Sequence, residues 1–473
     1  MTEPAPERPP LPTRLTWATA HVPGWAARAV LGVAVLAAVA VVGSPMGLAL
    51  AVVLFAVGAI AARVRPPALV PLLDLRAAPQ PPPRDRWSRV WWMLAAGLPL
   101  VPALRAAAWV VVPAILAAGA LASLAATGGQ HWRALGAGLG VLWTRMPQGL
   151  VLASRAAARN GAWRGAGPAA RGAAIAAVLL AVFVPLLASA DAAFAQLLDD
   201  VFPSEWSVDN PFGRALVLTL FVAVGGGLLY VRLCPPRPAA RAPKVALGRL
   251  EWSLPLGALV ALFAGFVALQ LAALFGGERH VLETSGLTYA EYARSGFAQL
   301  LAVAALTLAV VAAAGRWARD DGVLLRALLA ALCVLTLVVL ASALRRLGLY
   351  EDTFGFTRLR LAAHAALLYL GVVFCLILAS RGAAAWLPRA IVAVTGAAVL
   401  AFALADPERR IAEHNVERFE RTGQIDRYYL AELGPDATPA LTRFGCPRPE
   451  PEPDGLAGLN LARIRARAAV SCQ

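Results

Sequence analysis

Long apolar runs separated by short polar segments dominate the chain. Most of them approach the length of about 20 residues that a helix needs to cross the hydrocarbon core of a bilayer. The runs lie near residues 26–42, 46–62, 90–104, 106–126, 170–190, 213–232, 252–275, 296–315, 323–343, 360–380 and 386–405. This pattern predicts an all-α protein: a polytopic transmembrane helix bundle of about 9 to 11 spans with a small helical extracytoplasmic C-terminal tail.

The first four runs predict two hairpins, and the sequence leaves open whether each hairpin crosses the membrane. Gly43, Ser44 and Pro45 indicate a tight turn between the first two runs, and Pro99 and Pro102 interrupt the third. Either hairpin could therefore enter the bilayer without spanning it. Because a hairpin returns to the side from which it starts, the orientation of the later helices does not depend on this question.

Composition supports a membrane protein rather than a soluble or nucleic-acid-binding one. Hydrophobic residues make up 59% of the chain and charged residues 15%, and the mean hydropathy is +0.66. The formal net charge of +15 would suit nucleic acid, but the basic residues lie mainly in the segments between apolar runs. Their position therefore bears on membrane orientation, and no nucleic-acid partner is predicted.

The basic residues alternate from one connecting segment to the next. Arginines concentrate in 63–89, 127–171 and 232–249, whereas 191–214 is acidic and 276–294 is balanced. Since short loops rich in lysine and arginine stay in the cytoplasm, the N-terminus is predicted to be cytoplasmic and the C-terminus extracytoplasmic. The segment 344–360, with four arginines against two acids, argues mildly against this scheme.

These patterns divide the chain into six predicted parts. A helix at 127–169 has Trp132, Leu135, Leu139, Leu142 and Met146 on one side, which is typical of a helix lying on a membrane surface. The parts are a disordered cytoplasmic N-terminal tail at 1–25, hydrophobic hairpins at 26–126, a cytoplasmic interfacial amphipathic helix at 127–169, a core transmembrane bundle at 170–405, an extracytoplasmic helical tail at 406–445 and a flexible C-terminus at 446–473.

The tail has the signals of two short helices. Asp406 and Pro407 are typical of a helix start, and Gly423 of a helix end. A second helix is predicted from 426 to 433. Cys446 and Cys472 follow in the part that the charge pattern places outside, where a disulfide between them is stable. Two free thiols are the alternative.

Three groups of polar residues are candidates for a functional site on the predicted outer side. Asp191 ends an apolar run, where it could cap a short interfacial helix or serve as a pore or substrate group. Glu291 and Arg294 are three residues apart, so they could form an ion pair on one helix face or contribute to a site.

The third group is a predicted loop from Tyr350 to Arg358, with more charge than a turn requires. Arg358 and Arg360 could bind a phosphate or carboxylate in a bidentate manner. A salt bridge to Glu351 or Asp352 within the loop is the alternative. The three groups could converge beneath the tail helices and form one outer site.

Motifs of common enzyme classes are missing from the sequence. The single lysine, Lys244, does not stand in a P-loop, and no HExxH, CxxC or GxSxG motif occurs. His280, His364 and His414 lack the spacing of metal ligands. No catalytic residue, metal or cofactor is therefore predicted.

Four stretches together resemble a bacterial integral-membrane family catalogued as the domain of unknown function numbered 4173. They are "PLLASADAAFA" at 185–195, "GLTYAEYARSGFAQLL" at 286–301, "LYEDTFGFTRLRL" at 349–361 and "NVERFERTGQIDRYYLAELGPDATPAL" at 415–441. The resemblance covers roughly 170–441. It implies a polytopic protein of the bacterial cell membrane and supplies no activity.

Three functions remain open at this point. The first is a non-enzymatic envelope protein for sensing, scaffolding or assembly, with the lipid bilayer and other envelope proteins or lipids as partners. The second is a secondary transporter or lipid-translocating permease, which would use acidic or basic residues within the membrane. The third is a membrane-embedded transferase acting on a lipid-linked substrate, which would need paired carboxylates in one cleft.

Overall fold

The described residues of the computed structural model fold almost entirely as helices, which confirms the all-α prediction. These residues are 22–64, 86–129, 131–159, 187, 211–233, 247–275, 297–317, 322–380, 385–444 and 455–471. The helices of the bundle are α1 Gly24–Ala40, α2 Leu48–Arg63, α3 Arg86–Gly97, α4 Val101–Leu104, α5 Ala108–Thr127, α6 Trp132–Arg159, α7 Pro211–Leu233, α8 Arg249–Phe275, α9 Phe297–Trp317, α10 Val323–Phe354, α11 Arg358–Ala379 and α12 Leu387–Leu404. The tail contains α13 Pro407–Thr422, α14 Arg427–Ala431, α15 Thr438–Arg443 and α16 Leu461–Ser471.

Seven of the described helices, α5 and α7 to α12, are long and apolar enough to cross a membrane. Helices α1 and α2 are apolar but shorter, with 17 and 16 residues. The chain is therefore a multi-pass integral membrane protein. In the third predicted run, the helix breaks into α3, a 3₁₀ turn at Leu98–Leu100 and the short α4. Pro99 and Pro102 explain the break because proline removes a backbone donor and clashes with the preceding turn.

Helix α10 is much longer than the apolar run that predicts it. The run ends at residue 343, yet the helix continues to Phe354, so the predicted loop at 344–360 is wrong. The buried residues Leu340, Ala343, Leu347 and Glu351 lie at helical spacing. Because this buried face continues beyond Arg345 and Arg346, the helix continues as well. The connection to α11 is a three-residue turn that begins at Gly355, whose φ of 78° suits glycine.

Two large apolar cores lie in the bundle, beside a smaller cluster between α1, α6 and α7. The first joins helices α1 to α7 with α12 around residues such as Trp91, Leu124 and Leu142. The second joins α8 to α11 around Leu332 and Phe374. Helix α12 bridges the cores, since it packs on α3 and α5 and also contacts α11, where the hydroxyls of Tyr369 and Thr395 are 2.7 Å apart.

Helix α6 is amphipathic and packs against α5 and α7. Leu135 and Leu142 on its apolar side are buried. Its backbone meets that of α7 at Gly149, where an added Cβ would lie 2.2 Å from the nitrogen of Gly227. This close crossing requires glycine. The cytoplasmic surface position predicted for 127–169 remains a prediction.

The tail helices pack on one end of the bundle around a core of their own. Ile411, Ala412, Leu430 and Leu433 are buried there, and Phe356 from the α10–α11 turn packs against them. Helix α13 begins at Pro407 and ends before Gly423, where the sequence pattern places both. Within 446–473, where the sequence suggests flexibility, residues 461–471 form α16.

Candidate functional site

Five of the predicted site residues lie in the described part of the chain and are brought to one end of the bundle. They are Tyr350, Glu351, Asp352, Arg358 and Arg360. The other candidates lie outside the described residues: Asp191, Glu291, Arg294, Cys446 and Cys472. The predicted convergence of three outer groups and the predicted disulfide therefore stay predictions.

Arg358 pairs with a carboxylate of the tail and not with the nearby acids at the end of α10. Its Nε and Nη2 donate to Oε1 of Glu408 at 2.8 and 2.5 Å, and its Nη2 also donates to the carbonyl of Glu432. Its backbone nitrogen donates to the hydroxyl of Tyr429 at 2.7 Å. The predicted salt bridge to Glu351 or Asp352 is therefore wrong for Arg358. Its guanidinium already has a carboxylate partner inside the protein, since two of its nitrogens donate to the same oxygen of Glu408.

Arg360 closes the end of α10. Its guanidinium donates to the carbonyl of Phe354 at 3.1 Å and to that of Gly355. The same group lies 4.0 Å from the ring centroid of Tyr350, which is a cation–π contact. These contacts satisfy orphan carbonyls at a helix C-terminus, so a structural role accounts for Arg360.

Two further side chains of the tail hydrogen-bond to the backbone at the end of α10 and in the α10–α11 turn. Arg418 donates from Nε to the carbonyl of Asp352 at 3.0 Å and from Nη2 to that of Thr353. Asn415 brackets Phe356, because it accepts from the backbone nitrogen at 3.1 Å and donates to the carbonyl at 2.9 Å. A Cβ on Gly355 would lie 2.1 Å from Oδ1 of Asn415, so the corner fits only glycine at that position.

Glu351 and His364 form a separate pair between α10 and α11, in which the carboxylate is buried and the imidazole is half-buried. Oε2 of Glu351 lies 3.4 Å from Nδ1 of His364, and Glu351 is 2% exposed. Its Oε1 has no hydrogen-bond partner within the part of the chain that the structure describes. Both residues belong to helices that are apolar enough to span the membrane.

Five charged residues form what we call the docking cluster: Arg105, Arg358, Asp406, Glu408 and Asp436. Arg105 follows α4, and Nη1 of its buried side chain lies 2.5 Å from Oδ2 of Asp406. Its Nε and Nη2 donate to the carbonyls of residues 403 and 404 at 2.7 and 2.8 Å, at the end of α12. One guanidinium thus ties the start of α5 to the end of α12 and the entry to the tail.

Asp436 holds the other side of Arg105. Its Oδ2 accepts from the backbone nitrogens of Ala106 and Ala107 at 2.9 and 3.1 Å, which satisfies donors at the N-terminus of α5. Its Oδ1 lies 3.8 Å from Nη1 of Arg105 and makes no hydrogen bond with the described residues. Burial raises the pKa of the Asp436 carboxyl to about 6, although the hydrogen bond from Ala106 opposes the rise.

Asp406 differs from the helix cap that the sequence suggests. It makes no side-chain cap on α13, and its backbone is left-handed with a φ of 56°. A non-glycine residue in this region is strained. The salt bridge to Arg105 compensates, because the turn aims the carboxylate at the guanidinium. Burial raises the pKa of Asp406, and the charge of Arg105 opposes that rise.

Glu408 is fully hydrogen-bonded although it is buried. Oε1 accepts from Nε1 of Trp109 at 3.1 Å as well as from Arg358, and Oε2 accepts from the nitrogen of Gly434 at 2.7 Å. A Cβ at Gly434 would lie 2.9 Å from Oε2, so a larger residue there would displace the carboxylate from its hydrogen bonds. This carboxylate therefore joins α5, α11 and the tail at one point.

Sequence reasoning missed four members of the docking cluster, although one signal was present. Arg105 is a lone arginine between two long apolar runs, in a turn that the charge pattern places on the arginine-poor side. Such a residue needs a carboxylate partner. Nothing local to the sequence indicates that the partners lie in the tail.

The docking cluster combines two arginines with three carboxylates, and most of its polar atoms are engaged within the protein. The guanidinium of each arginine faces a carboxylate from the tail, and the carboxylates are taken up by arginines, backbone amides or an indole. Among the described residues, no group of three or more His, Cys, Asp or Glu side chains could hold a metal ion. The arrangement is suited to holding two parts of the protein together.

A family model described as "Domain of unknown function (DUF4153)" matches residues 92–444. The resemblance to the family numbered 4173 is thereby wrong, because the matching family is a different one and its match extends into the N-terminal third. No curated protein and no solved structure matches the chain. The matched segment contains the whole docking cluster, from Arg105 to Asp436. Since the match covers well over half of the sequence, the chain belongs to the family described as "Domain of unknown function (DUF4153)".

Proposed function

We propose that the protein is a non-enzymatic membrane protein of the bacterial envelope, in which the tail is a fixed platform for sensing, scaffolding or assembly. The observation that supports this best is that the docking cluster attaches the tail to the bundle. Arg105 and Arg358 hold three tail carboxylates against the bundle, at distances of 2.5 to 3.8 Å. A platform needs such a rigid attachment, whereas a catalytic or transport group must be able to exchange partners.

The orientation of this platform follows from the charge pattern. Arginine-rich segments would lie in the cytoplasm, and the tail would face the outside. The outward surface of α13 and α14 then meets the envelope space. It is polar and charged, with Glu417, Glu420, Arg421 and Tyr428 exposed. A protein partner fits this surface better than a lipid partner does.

Site-specific photo-crosslinking in cells tests the platform. A photoreactive amino acid replaces Tyr428, which is 80% exposed, and a matched variant carries it at Phe374, which is buried in the second core. We expect one discrete protein adduct from position 428 and none from 374. The adduct should disappear when Arg105→Gln releases the tail. The platform proposal is contradicted if position 428 gives no protein adduct while the tail remains docked.

A second candidate is a proton-coupled transporter or permease, and the Glu351–His364 pair supports it. Ionisable residues inside membrane helices are costly and often mark the path of an ion or proton. Proton uptake into proteoliposomes under an imposed membrane potential distinguishes the candidates. A transporter that uses this pair loses uptake in Glu351→Gln and keeps it in Asp436→Asn. A platform protein shows no uptake in the parent.

A further inference from the structure

Residues 455–464, which we call the terminal hook, differ from α13 in the side chains that they expose. In α13, Glu408 and Arg418 are buried together with Ile411 and Ala412, and Glu420 and Arg421 face outward. In the terminal hook, Asn460 is fully buried and Arg463 is 8% exposed, whereas Leu456 is 84% exposed. Two parts of one tail are thus built for different surroundings.

The backbone of the terminal hook is paired with the start of α2. The carbonyls of Leu459 and Ala457 accept from the backbone nitrogens of Leu48 and Ala49 at 2.9 and 3.0 Å. Helix N-termini leave their first donors without intrahelical partners, and water normally satisfies them. Here the protein supplies the acceptors itself, as is required where no water is present.

Side chains of the terminal hook complete the same pairing. The amide nitrogen of Asn460 donates to the carbonyls of Pro102 and Arg105 at 2.7 and 2.9 Å. Nη2 of Arg463 donates to the carbonyls of Met46 and Gly458 at 2.8 and 2.6 Å. The polar groups of the hook are therefore used inward, against α4 and the α1–α2 turn.

Apolar side chains of the terminal hook remain outside and continue a lipid-facing stripe. On α2, Leu48, Val52 and Phe55 lie at helical spacing on one exposed face. The side chain of Leu459 is exposed, and the carbonyl of the same residue accepts from the backbone nitrogen of Leu48. The apolar stripe therefore extends from α2 onto the terminal hook. Leu456 and Ile464, the latter 38% exposed, add to it.

We infer that the terminal hook is embedded in the boundary layer of the bilayer, with its exposed leucines and Ile464 against acyl chains. Two observations support lipid as the occupant: the inward pairing of polar groups and the continuity with the apolar face of α2. The exposed Arg465 follows Ile464, and a long arginine side chain next to a lipid-facing residue can extend to headgroup phosphates. The hook is a membrane anchor at the end of a tail that is otherwise solvated by water.

Nitroxide accessibility in proteoliposomes tests this anchor on the full chain. Spin labels are attached at Leu456, at Phe55 as the membrane reference and at Tyr428 as the aqueous reference, through a genetically encoded keto amino acid that leaves the native cysteines in place. All three side chains are exposed, so labelling leaves the folded core intact. Oxygen, which concentrates in lipid, and a water-soluble nickel chelate are the two relaxation agents.

The ratio of oxygen to nickel accessibility decides the result. We expect the ratio at position 456 to exceed that at 428 several-fold and to approach that at 55. A ratio at 456 equal to that at 428 overturns the inference, because the hook is then in water. Low accessibility to both agents also overturns it, since a protein surface then covers the leucines.

Discussion

The two arginines of the docking cluster hold the same tail in chemically different ways. Arg105 is nearly buried, with 9% of its side chain exposed, and it faces both Asp406 and Asp436. Arg358 is 37% exposed and faces Glu408 alone. Around Arg358 every carboxylate oxygen is hydrogen-bonded, whereas around Arg105 one oxygen of each aspartate has no hydrogen bond among the described residues.

This difference shows which contact contributes most to the attachment of the tail and which contact is sensitive to pH. A buried ion pair is costly to break, because the partner left behind keeps an uncompensated charge in a low dielectric. An exposed pair is screened by water. The Arg105 contact therefore dominates the stability of docking. The excess of carboxylates over arginine at the same contact makes it sensitive to pH.

Replacing Arg105 by alanine is expected to have the largest effect. The change leaves Asp406 and Asp436 buried without their cation and frees two carbonyls of α12. Loss of one partner of a buried ion pair costs about 3–5 kcal/mol. The free energy of unfolding is measured by titration with sodium dodecyl sulfate in mixed micelles. The exposed Arg410 serves as the control, and Arg410→Ala should stay within about 0.5 kcal/mol of the parent.

Glu408→Gln is expected to have the next largest effect. Glutamine keeps the size of the side chain but removes the charge that faces Arg358 and one of the acceptors used by Trp109, Arg358 and Gly434. We expect a loss of about 2–3 kcal/mol in the same titration. Glu413→Gln is the matched control, because Glu413 pairs with Arg409 on the surface and should contribute below about 1 kcal/mol. Equal losses in both variants would contradict the comparison.

The Arg105 contact is also expected to make stability depend on pH. Burial raises the pKa of Asp436 from 3.8 to about 6. Between these values the folded state binds more protons than the unfolded state, so stability falls as the pH rises through the window. Asp406, whose pKa is also raised, adds in the same direction. The expected loss from pH 4 to pH 7 is about 2 kcal/mol.

Asp436→Asn isolates this effect. Asparagine can still accept from the nitrogens of Ala106 and Ala107 but does not ionise. The variant at pH 7 should match the stability of the parent near pH 4, and most of the slope between the two pH values should vanish. Glu408→Gln should keep most of the slope, because burial contributes more than the charge of Glu408 to the raised pKa of Asp436. An unchanged slope in Asp436→Asn would show that another group titrates.

Arg358→Lys is expected to have the smallest effect. Lysine keeps the charge but cannot reproduce the two hydrogen bonds from Nε and Nη2 to Oε1 of Glu408 together with the bond to the carbonyl of Glu432. Because the site is partly exposed, the expected loss is about 1 kcal/mol. Arg105→Lys is the comparison variant, and its loss should be at least twice as large, since the buried guanidinium makes more contacts. Thermal shift in detergent is sensitive enough to rank the two variants.

The helices were predictable from the sequence because hydrophobic periodicity is a local property. Most apolar runs gave helices within a few residues, and Pro407 and Gly423 marked the ends of α13. The extension of α10 was missed because charged residues such as Arg345 and Arg346 after an apolar run are typical of a loop. Leu347 and Glu351 nevertheless continue the buried face of the helix. In a protein with few charges, helical spacing is a better guide than the end of an apolar run.

The docking cluster could not be predicted because its partners are far apart in the chain. The contact between Ala106 and Asp436 spans 330 residues, and that between Arg358 and Glu408 spans 50. Pairing at such separations depends on how the whole bundle packs. For Arg358 the sequence left two possibilities open, a phosphate or carboxylate ligand and a local salt bridge to Glu351 or Asp352. It did not indicate Glu408, because a local salt bridge is the simplest pairing that a sequence offers.

The central claim is that Arg105 locks the tail onto the bundle, and hydrogen–deuterium exchange in nanodiscs tests it most directly. The exchange of backbone amides in residues 407–443 is compared between the parent and Arg105→Gln, with the interior of α10 as an internal reference. We predict that exchange in the tail rises at least about tenfold in the variant while α10 keeps its protection. Unchanged exchange in the tail would contradict the claim, because the tail would then be held without its buried arginine.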